Sequence, residues 1–173
     1  IGYDSLTALT SGAGNLAIGY QSGAALSTGE RNVSVGYQSL FRGTTETDDN
    51  TAIGYAAMSG NWTTNAVNDC VAIGSHAMPG TLTAAASGSV AIGYSALYAL
   101  TSGLGNVAVG NQAGLAITTT NANTIIGHDA GTGVTGALNT IIGYQAGKDS
   151  VLLADGDGNV IIGYNTRTTA TDS

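Results

Sequence analysis

Residues 15–23 have the sequence NLAIGYQSG, and variants of this nine-residue stretch recur from one end of the chain to the other. Its first glycine, Gly19, has counterparts spaced 16 to 20 residues apart along the 173 residues. A short, regular period is typical of a solenoid, in which each coil packs only against its neighbours. The ten copies of this glycine, position 0 of each repeat, are Gly2, Gly19, Gly36, Gly54, Gly74, Gly93, Gly110, Gly127, Gly143 and Gly163.

The residues before each glycine predict a short strand. Position −1 is Ile or Val in every copy, and position −3 is Leu, Val or Thr, all residues that strands favour. The sequence therefore predicts an all-β fold, a parallel β-solenoid or β-roll of about ten short coils. We expect one repeat array over residues 1–173. Since Ile1 already occupies position −1, we expect a segment of a longer fibre with a truncated first coil.

The two faces of each predicted strand differ in side-chain size. Positions −3 and −1 share one face, whereas position −2 and the glycine share the other. Stacked Val and Ile favour the first face as the coil interior, and the small second face is then predicted to contact another chain. One Val and one Ile make a small core for a coil of about 17 residues, so a single chain would be only marginally stable. Burial of the second face against other copies of the chain would add stability, which favours a homo-oligomer. The candidates for this subunit face at position −2 are Ala17, Ala52, Ala72, Ala91, Ala108, Ile125, Ile141 and Ile161.

Position −4 is Asn in most copies, usually after a Gly-rich or polar step. Asn tolerates a left-handed backbone and bonds its own chain, so these residues are predicted corners. Cys70 and Ser89 occupy the same position in two copies. We therefore interpret Cys70, the single cysteine, as a small corner substitute and not as a reactive thiol.

Composition excludes several classes of function. The formal net charge is −7 with four cations, so no basic stripe exists to bind nucleic acid. Apolar runs are too short for a membrane span. His76 and His128 lie three coils apart, and neither a Ser-His-Asp set nor a metal-spaced cluster occurs. We expect neither an enzyme nor a cofactor.

The repeats resemble two groups of fibrous proteins. The strings NLAIGYQSG, TAIGYAAM, SVAIGYSAL, NVAVGNQAG and NTIIGYQAG resemble the NSVAIG-type head repeats of trimeric autotransporter adhesins, and resemble more closely the NTAIGYQAL-type arrays of phage tail fibres. The resemblance covers essentially the whole chain. It implies a homotrimeric β-roll, intertwined or side by side, on a virion tail fibre or a cell surface. The period of 16 to 20 residues is longer than in adhesin heads.

Several residues are candidates for contacts with a receptor. Trp62, Glu46, Asp48 and Asp49 lie in the longer spacers, where solenoids carry recognition loops. Trp62 fits equally well as the anchor of its own loop. Tyr follows the glycine in seven copies, and the row is either a packing ladder, which we favour, or a ladder for glycans.

A weak calcium pattern lies near the C-terminal end. Asp155, Asp157 and Asn159 have the alternating spacing that begins a calcium loop. Val160 and Thr166 stand where that loop needs Gly and Glu, so a plain turn is the preferred interpretation.

Together these patterns predict a structural or adhesive fibre segment that projects toward or contacts a surface receptor, with a glycan as one candidate. A virus tail fibre is the first choice, and a bacterial trimeric adhesin head is the alternative. A carbohydrate- or ice-binding solenoid is a distant third, because the Thr clusters are not periodic.

Overall fold

The computed structural model describes residues 1–43, 46–62, 66–148 and 156–166. Within these ranges the chain forms nine three-residue strands and one 3₁₀ turn, Ala84–Ala86. No helix in these ranges is long and apolar enough to cross a membrane. The strands are β1 Leu16–Ile18, β2 Val33–Val35, β3 Thr51–Ile53, β4 Val71–Ile73, β5 Val90–Ile92, β6 Val107–Val109, β7 Thr124–Ile126, β8 Thr140–Ile142 and β9 Val160–Ile162.

The strands form one parallel sheet in chain order, β1 to β9. Every pair is in register, so position −3 lies opposite position −3, as Leu16 lies opposite Val33. The spacer after each strand completes one coil and returns the chain to the next rung. The first repeat joins the same ladder, because the Gly19 N–H donates to the Ile1 carbonyl at 2.8 Å. The predicted all-β parallel β-solenoid is confirmed.

The predicted assignment of the two strand faces is wrong. The side chains at position −2 lie inside the coil of their own chain, and positions −3 and −1 face outward. The position −2 residues therefore cannot form a face for another chain. The predicted subunit-face residues, all at most 7% exposed, are Ala17, Ala52, Ala72, Ala91, Ala108, Ile125, Ile141 and Ile161.

The physical reason is the volume that the return segments contribute to the core. In the central coils a Leu or Met at position +4, such as Leu40 or Met58, is fully buried and leaves room only for a small residue at position −2. The coils of Gly127 and Gly143 have Gly at position +4 and Ile at position −2. A Cβ placed on Gly131 would lie 3.0 Å from Cδ1 of Ile125. At this position the Ile125 side chain therefore occupies volume that the glycine leaves empty.

The Asn residues at position −4 form a buried ladder along the solenoid. The Oδ1 of each Asn accepts the backbone N–H of its counterpart on the next coil; Asn50 donates to Asn32 in this way at 3.0 Å, and Asn139 donates to Asn123 at 3.0 Å. Buried polar groups need partners. The ladder supplies an acceptor for the backbone N–H at position −4 of each coil that follows a coil with Asn at the same position. The left-handed residue at this corner is the one before Asn, for example Arg31 before Asn32.

Candidate interaction surfaces

The outward faces of the nine strands form a continuous apolar strip, which we call the strand strip. It contains no charged residue and, at about 4.8 Å per rung, is about 38 Å long. Its side chains are half-buried or exposed; Leu16 is 47% and Ile126 is 39% exposed. The strand strip comprises Leu16, Val33, Thr51, Val71, Val90, Val107, Thr124, Thr140 and Val160 at position −3, and Ile18, Val35, Ile53, Ile73, Ile92, Val109, Ile126, Ile142 and Ile162 at position −1.

A row of tyrosines at position +1 runs beside the strand strip. The rings of Tyr3, Tyr20, Tyr37 and Tyr55 stack in sequence, with centroids 5.1–5.6 Å apart and planes within 13° of parallel. Each ring in the middle of such a stack has both faces covered by its neighbours. The stacked tyrosines expose ring edges and hydroxyls, so this part of the row fits the packing ladder better than a platform for sugar rings.

Three rungs of the row have a residue other than Tyr at position +1: Ser75, Asn111 and His128. Ser75 occupies position +1 of its repeat, but the neighbouring His76 supplies a ring that tilts 56° against Tyr55 and meets Tyr94 edge-on, 6.4 Å between centroids. His128 stacks on Tyr144 at 5.4 Å and so continues the row. Asn111 therefore marks the one rung between Tyr3 and Tyr164 where no ring stands, and all of those rungs are described.

Trp62 is not an exposed recognition residue. Its side chain is fully buried, and its indole N–H donates to the Gly80 carbonyl at 3.2 Å. It belongs to the continuous core that also contains Leu40, Met58 and Leu82. Sequence position alone placed Trp62 in a spacer, but an indole large enough to fill the coil is more stable inside it. The anchoring interpretation is correct.

The acidic candidates serve mainly to join neighbouring coils. An Oδ1 of Asp48 accepts the Glu30 N–H at 2.7 Å, and Asp49 binds Arg31 through two hydrogen bonds of 2.7 and 2.9 Å. The hydrogen bonds from Arg31 hold the pKa of Asp49 below its usual range. Glu46 is exposed. Its backbone N–H donates to the Thr28 hydroxyl on the preceding coil at 3.3 Å.

The calcium candidates fall partly outside the described residues, since Asp155 lies there. Asp157 accepts the Ala137 N–H at 2.6 Å, and the Asn159 amide donates to Asn139 at 2.9 Å. Both side chains thus take part in contacts between coils. No group of three His, Cys, Asp or Glu side chains in the described ranges is arranged to hold a metal ion.

One polar cluster is partly shielded from solvent on the side of the coil. The Asp129 carboxylate accepts from the Lys148 ammonium at 2.8 Å and from the Gln145 amide at 3.3 Å, and the His128 Nδ1 lies 3.3 Å from its other oxygen. The hydrogen bond from Lys148 is the main reason that the pKa of Asp129 is lowered. The cluster links two neighbouring coils and contains no nucleophile.

Cys70 takes the place of an Asn in the buried ladder. Its thiol points toward the carbonyls of Asn68 and Ala86, at 3.5 and 3.4 Å, much as the Asn50 amide donates to Asp48 and Val67. Burial raises the pKa of this thiol from 9.0 to about 11.

We expect Cys70 to be unreactive in the folded chain. At pH 8, a disulfide reagent such as dithionitrobenzoate should label one thiol per chain only after unfolding. The neutral buried thiol contributes stability below pH 9, and this contribution is lost as the pH rises toward 11, because the unfolded thiol ionises first. The denaturation midpoint should therefore fall more between pH 8 and pH 10.5 than that of a Cys70→Ser control. Rapid labelling of the native chain would contradict the prediction.

Comparison with known proteins gives no further identification. No protein-family model matches the chain, and no curated protein or solved structure matches it significantly.

Proposed function

We propose that this chain is a segment of an elongated homotrimeric fibre that projects toward or contacts a surface receptor. The observation that carries the proposal is the strand strip, which is apolar or Thr on all nine rungs and free of charge. Monomeric proteins rarely expose long contiguous apolar surfaces, and larger ones mark sites of association. A second copy of the same chain offers a surface of the same length and periodicity.

The dimensions of the strand strip suit association along its whole length. A strip about 38 Å long and about 10 Å wide covers roughly 400 Å², a size at which the largest apolar patch of a protein is often functional. Its two columns, at positions −3 and −1, allow each chain to contact two neighbours around a common axis. Closed symmetry of this kind buries every strip equally. The uncharged strip also lets chains with a net charge of −7 approach without placing like charges face to face.

The resemblance of the repeats to tail-fibre arrays makes a virus tail fibre the first choice, with a location on the outside of the virion. A bacterial cell-surface adhesin would use the same trimer and is the alternative. In either setting the solenoid supplies length and stiffness, and side-chain surfaces away from the strand strip contact the receptor. Partner proteins and glycans would then meet the flanks of the coils.

The oligomeric state tests the proposal. Light scattering should give three times the chain mass of 17.0 kDa, with a β-rich circular dichroism spectrum. The double variant Ile73→Lys and Ile92→Lys should be monomeric, because adjacent rungs would place like charges in the interface. The matched control, Leu104→Lys with Leu138→Lys, adds the same charge at exposed leucines outside the strand strip and should remain a trimer. A folded monomer of the unaltered chain would overturn the proposal.

A further inference from the structure

An open groove lies beside the one rung of the aromatic row that lacks a ring. It has a volume of about 520 Å³ and is lined by Tyr94, Tyr98, Ser95, Gln112 and Leu115, together with two alanines. Tyr94 and Tyr98 are about half exposed, at 51% and 49%. A backbone hydrogen bond of 2.8 Å from Gln112 to the Tyr94 carbonyl fixes the two neighbouring coils that form the groove. Backbone hydrogen bonds between neighbouring coils thus hold the segments that line the groove.

The groove is also where a tyrosine ring of the row lacks a parallel neighbour. Tyr94 meets His76 only edge-on, and Asn111 on the following coil provides no ring to cover its other side. Tyr98 is the one tyrosine outside position +1, and it has no ring contact within the described ranges. Two aromatic side chains therefore present uncovered surface to the same groove.

The polar groups of the groove are also unused. Elsewhere in the same position of the repeat, the Gln38 amide donates to Gln21 at 2.8 Å and the Gln145 amide donates to Asp129. The Gln112 amide and the Ser95 hydroxyl have no such bond to the described residues. An amide offers two donors and an acceptor, and a hydroxyl offers both. These groups lie where they could bond the hydroxyls of a bound molecule.

We propose that this groove binds a neutral oligosaccharide. A pyranose ring has an apolar C–H face that packs on an aromatic ring and hydroxyls that suit an amide and a serine. None of the lining residues is charged, and the net charge of −7 opposes an anionic ligand. The volume falls within the range of small-molecule sites.

A second groove lacks the uncovered aromatic rings that favour a sugar in the first groove. It measures about 330 Å³ and is lined by Phe41, Arg42, Asn61 and two alanines. The Arg42 guanidinium already lies over the Phe41 ring, 5.3 Å from its centroid. The aromatic surface of that groove is therefore covered by the chain itself, whereas the tyrosines of the first groove are not.

The proposal rests on the proposed function only for its biological setting, because the groove lies outside the strand strip.

Saturation-transfer NMR and titration calorimetry should detect binding of at least one of maltotetraose, cellotetraose, chitotetraose and mannotetraose, with sialyllactose as an acidic control. Tyr94→Ala with Tyr98→Ala should weaken that binding at least tenfold. The matched control Tyr55→Ala removes a stacked ring of similar exposure, 52%, and should leave affinity unchanged.

The Asn111→Tyr variant gives a sharper test, because it adds an aromatic ring and yet should weaken binding. The new ring would stack on Tyr94 and cover the surface that the sugar needs. Unchanged affinity in this variant, or in the Tyr94 and Tyr98 double variant, would overturn the proposed site. Binding to none of the four neutral sugars, or to sialyllactose alone, would overturn the ligand class. The light-scattering mass reports separately on the fibre proposal, so the two failures are distinguishable.

Discussion

The substitution Gly93→Ala should lower the free energy of unfolding by about 3–5 kcal/mol, enough to unfold the neighbouring coils. The backbone at Gly93 has a φ of +132°, which side chains rarely adopt. An added Cβ would also lie 2.6 Å from the carbonyl carbon of Gly110 on the next coil, and closer still to its oxygen. Since the neighbouring atoms are backbone in the ladder, they cannot move aside without breaking rung-to-rung pairing. Chemical denaturation followed by circular dichroism measures the loss.

Gly88→Ala is the matched control for that experiment. Gly88 has a φ of +71° with no atom within 4 Å of the added Cβ. The same position of the repeat holds Arg31, Asp49 and Leu138 in other coils, all with positive φ. We expect a loss of only about 1 kcal/mol, the ordinary conformational cost of a left-handed alanine. Equal losses in the two variants would show that steric contact between glycine rungs is unimportant.

The substitution Trp62→Ala should cost about 3–5 kcal/mol, because it empties the largest fully buried side-chain site of the described core. The surrounding coils are held at fixed spacing by the ladder, so the cavity cannot collapse fully. The Gly80 carbonyl would also lose its indole donor. Thermal and chemical denaturation should both report the loss.

Trp62→Phe separates the two parts of this effect. Phe retains most of the buried apolar volume but loses the hydrogen bond, so its cost should be well below that of Ala. Lost receptor attachment by Trp62→Ala with unchanged stability would mean that the indole acts at the surface, contrary to its complete burial.

The repeat architecture sets how far such defects spread. Each strand of the described sheet contacts only the strands directly before and after it. Stability is then close to a sum of coil and interface contributions. A defect at Gly93, in the middle of the array, interrupts the coupling between two halves, whereas a defect near either end removes fewer interfaces. Hydrogen exchange of the flanking strands would show this gradient.

The period of the sequence was sufficient to predict the architecture. Ten glycines at 16 to 20 residues, each preceded by a β-branched position, specify parallel rungs in register, because identical positions can repeat in contact only when coils stack. The Asn residues likewise predicted corners. Their ladder follows from the same repetition, since each Oδ1 meets the same backbone N–H one coil further on.

The sequence did not determine which strand face is interior. Alternation shows that two faces differ, but the interior is chosen by the volume that the return segments bring to it. Leu40, Met58 and Trp62 fill the coil, so the small face turns inward and the Val and Ile face remains outside. That inversion moved the expected subunit contact from position −2 to the strand strip.

The candidate sites were likewise indicated in part by the sequence and decided in part by the tertiary structure. The sequence places Tyr94 between Ser75 and Asn111 at position +1, but it did not show that the ring of His76 would stand edge-on beside Tyr94. His76 turns edge-on and Asn111 supplies no ring, and both effects arise from residues 17 to 18 positions away in the chain. The sequence alone determined a regular parallel solenoid. Tertiary structure decided which side chains face inward and which rings stay uncovered, since both depend on volumes and neighbours supplied by other coils.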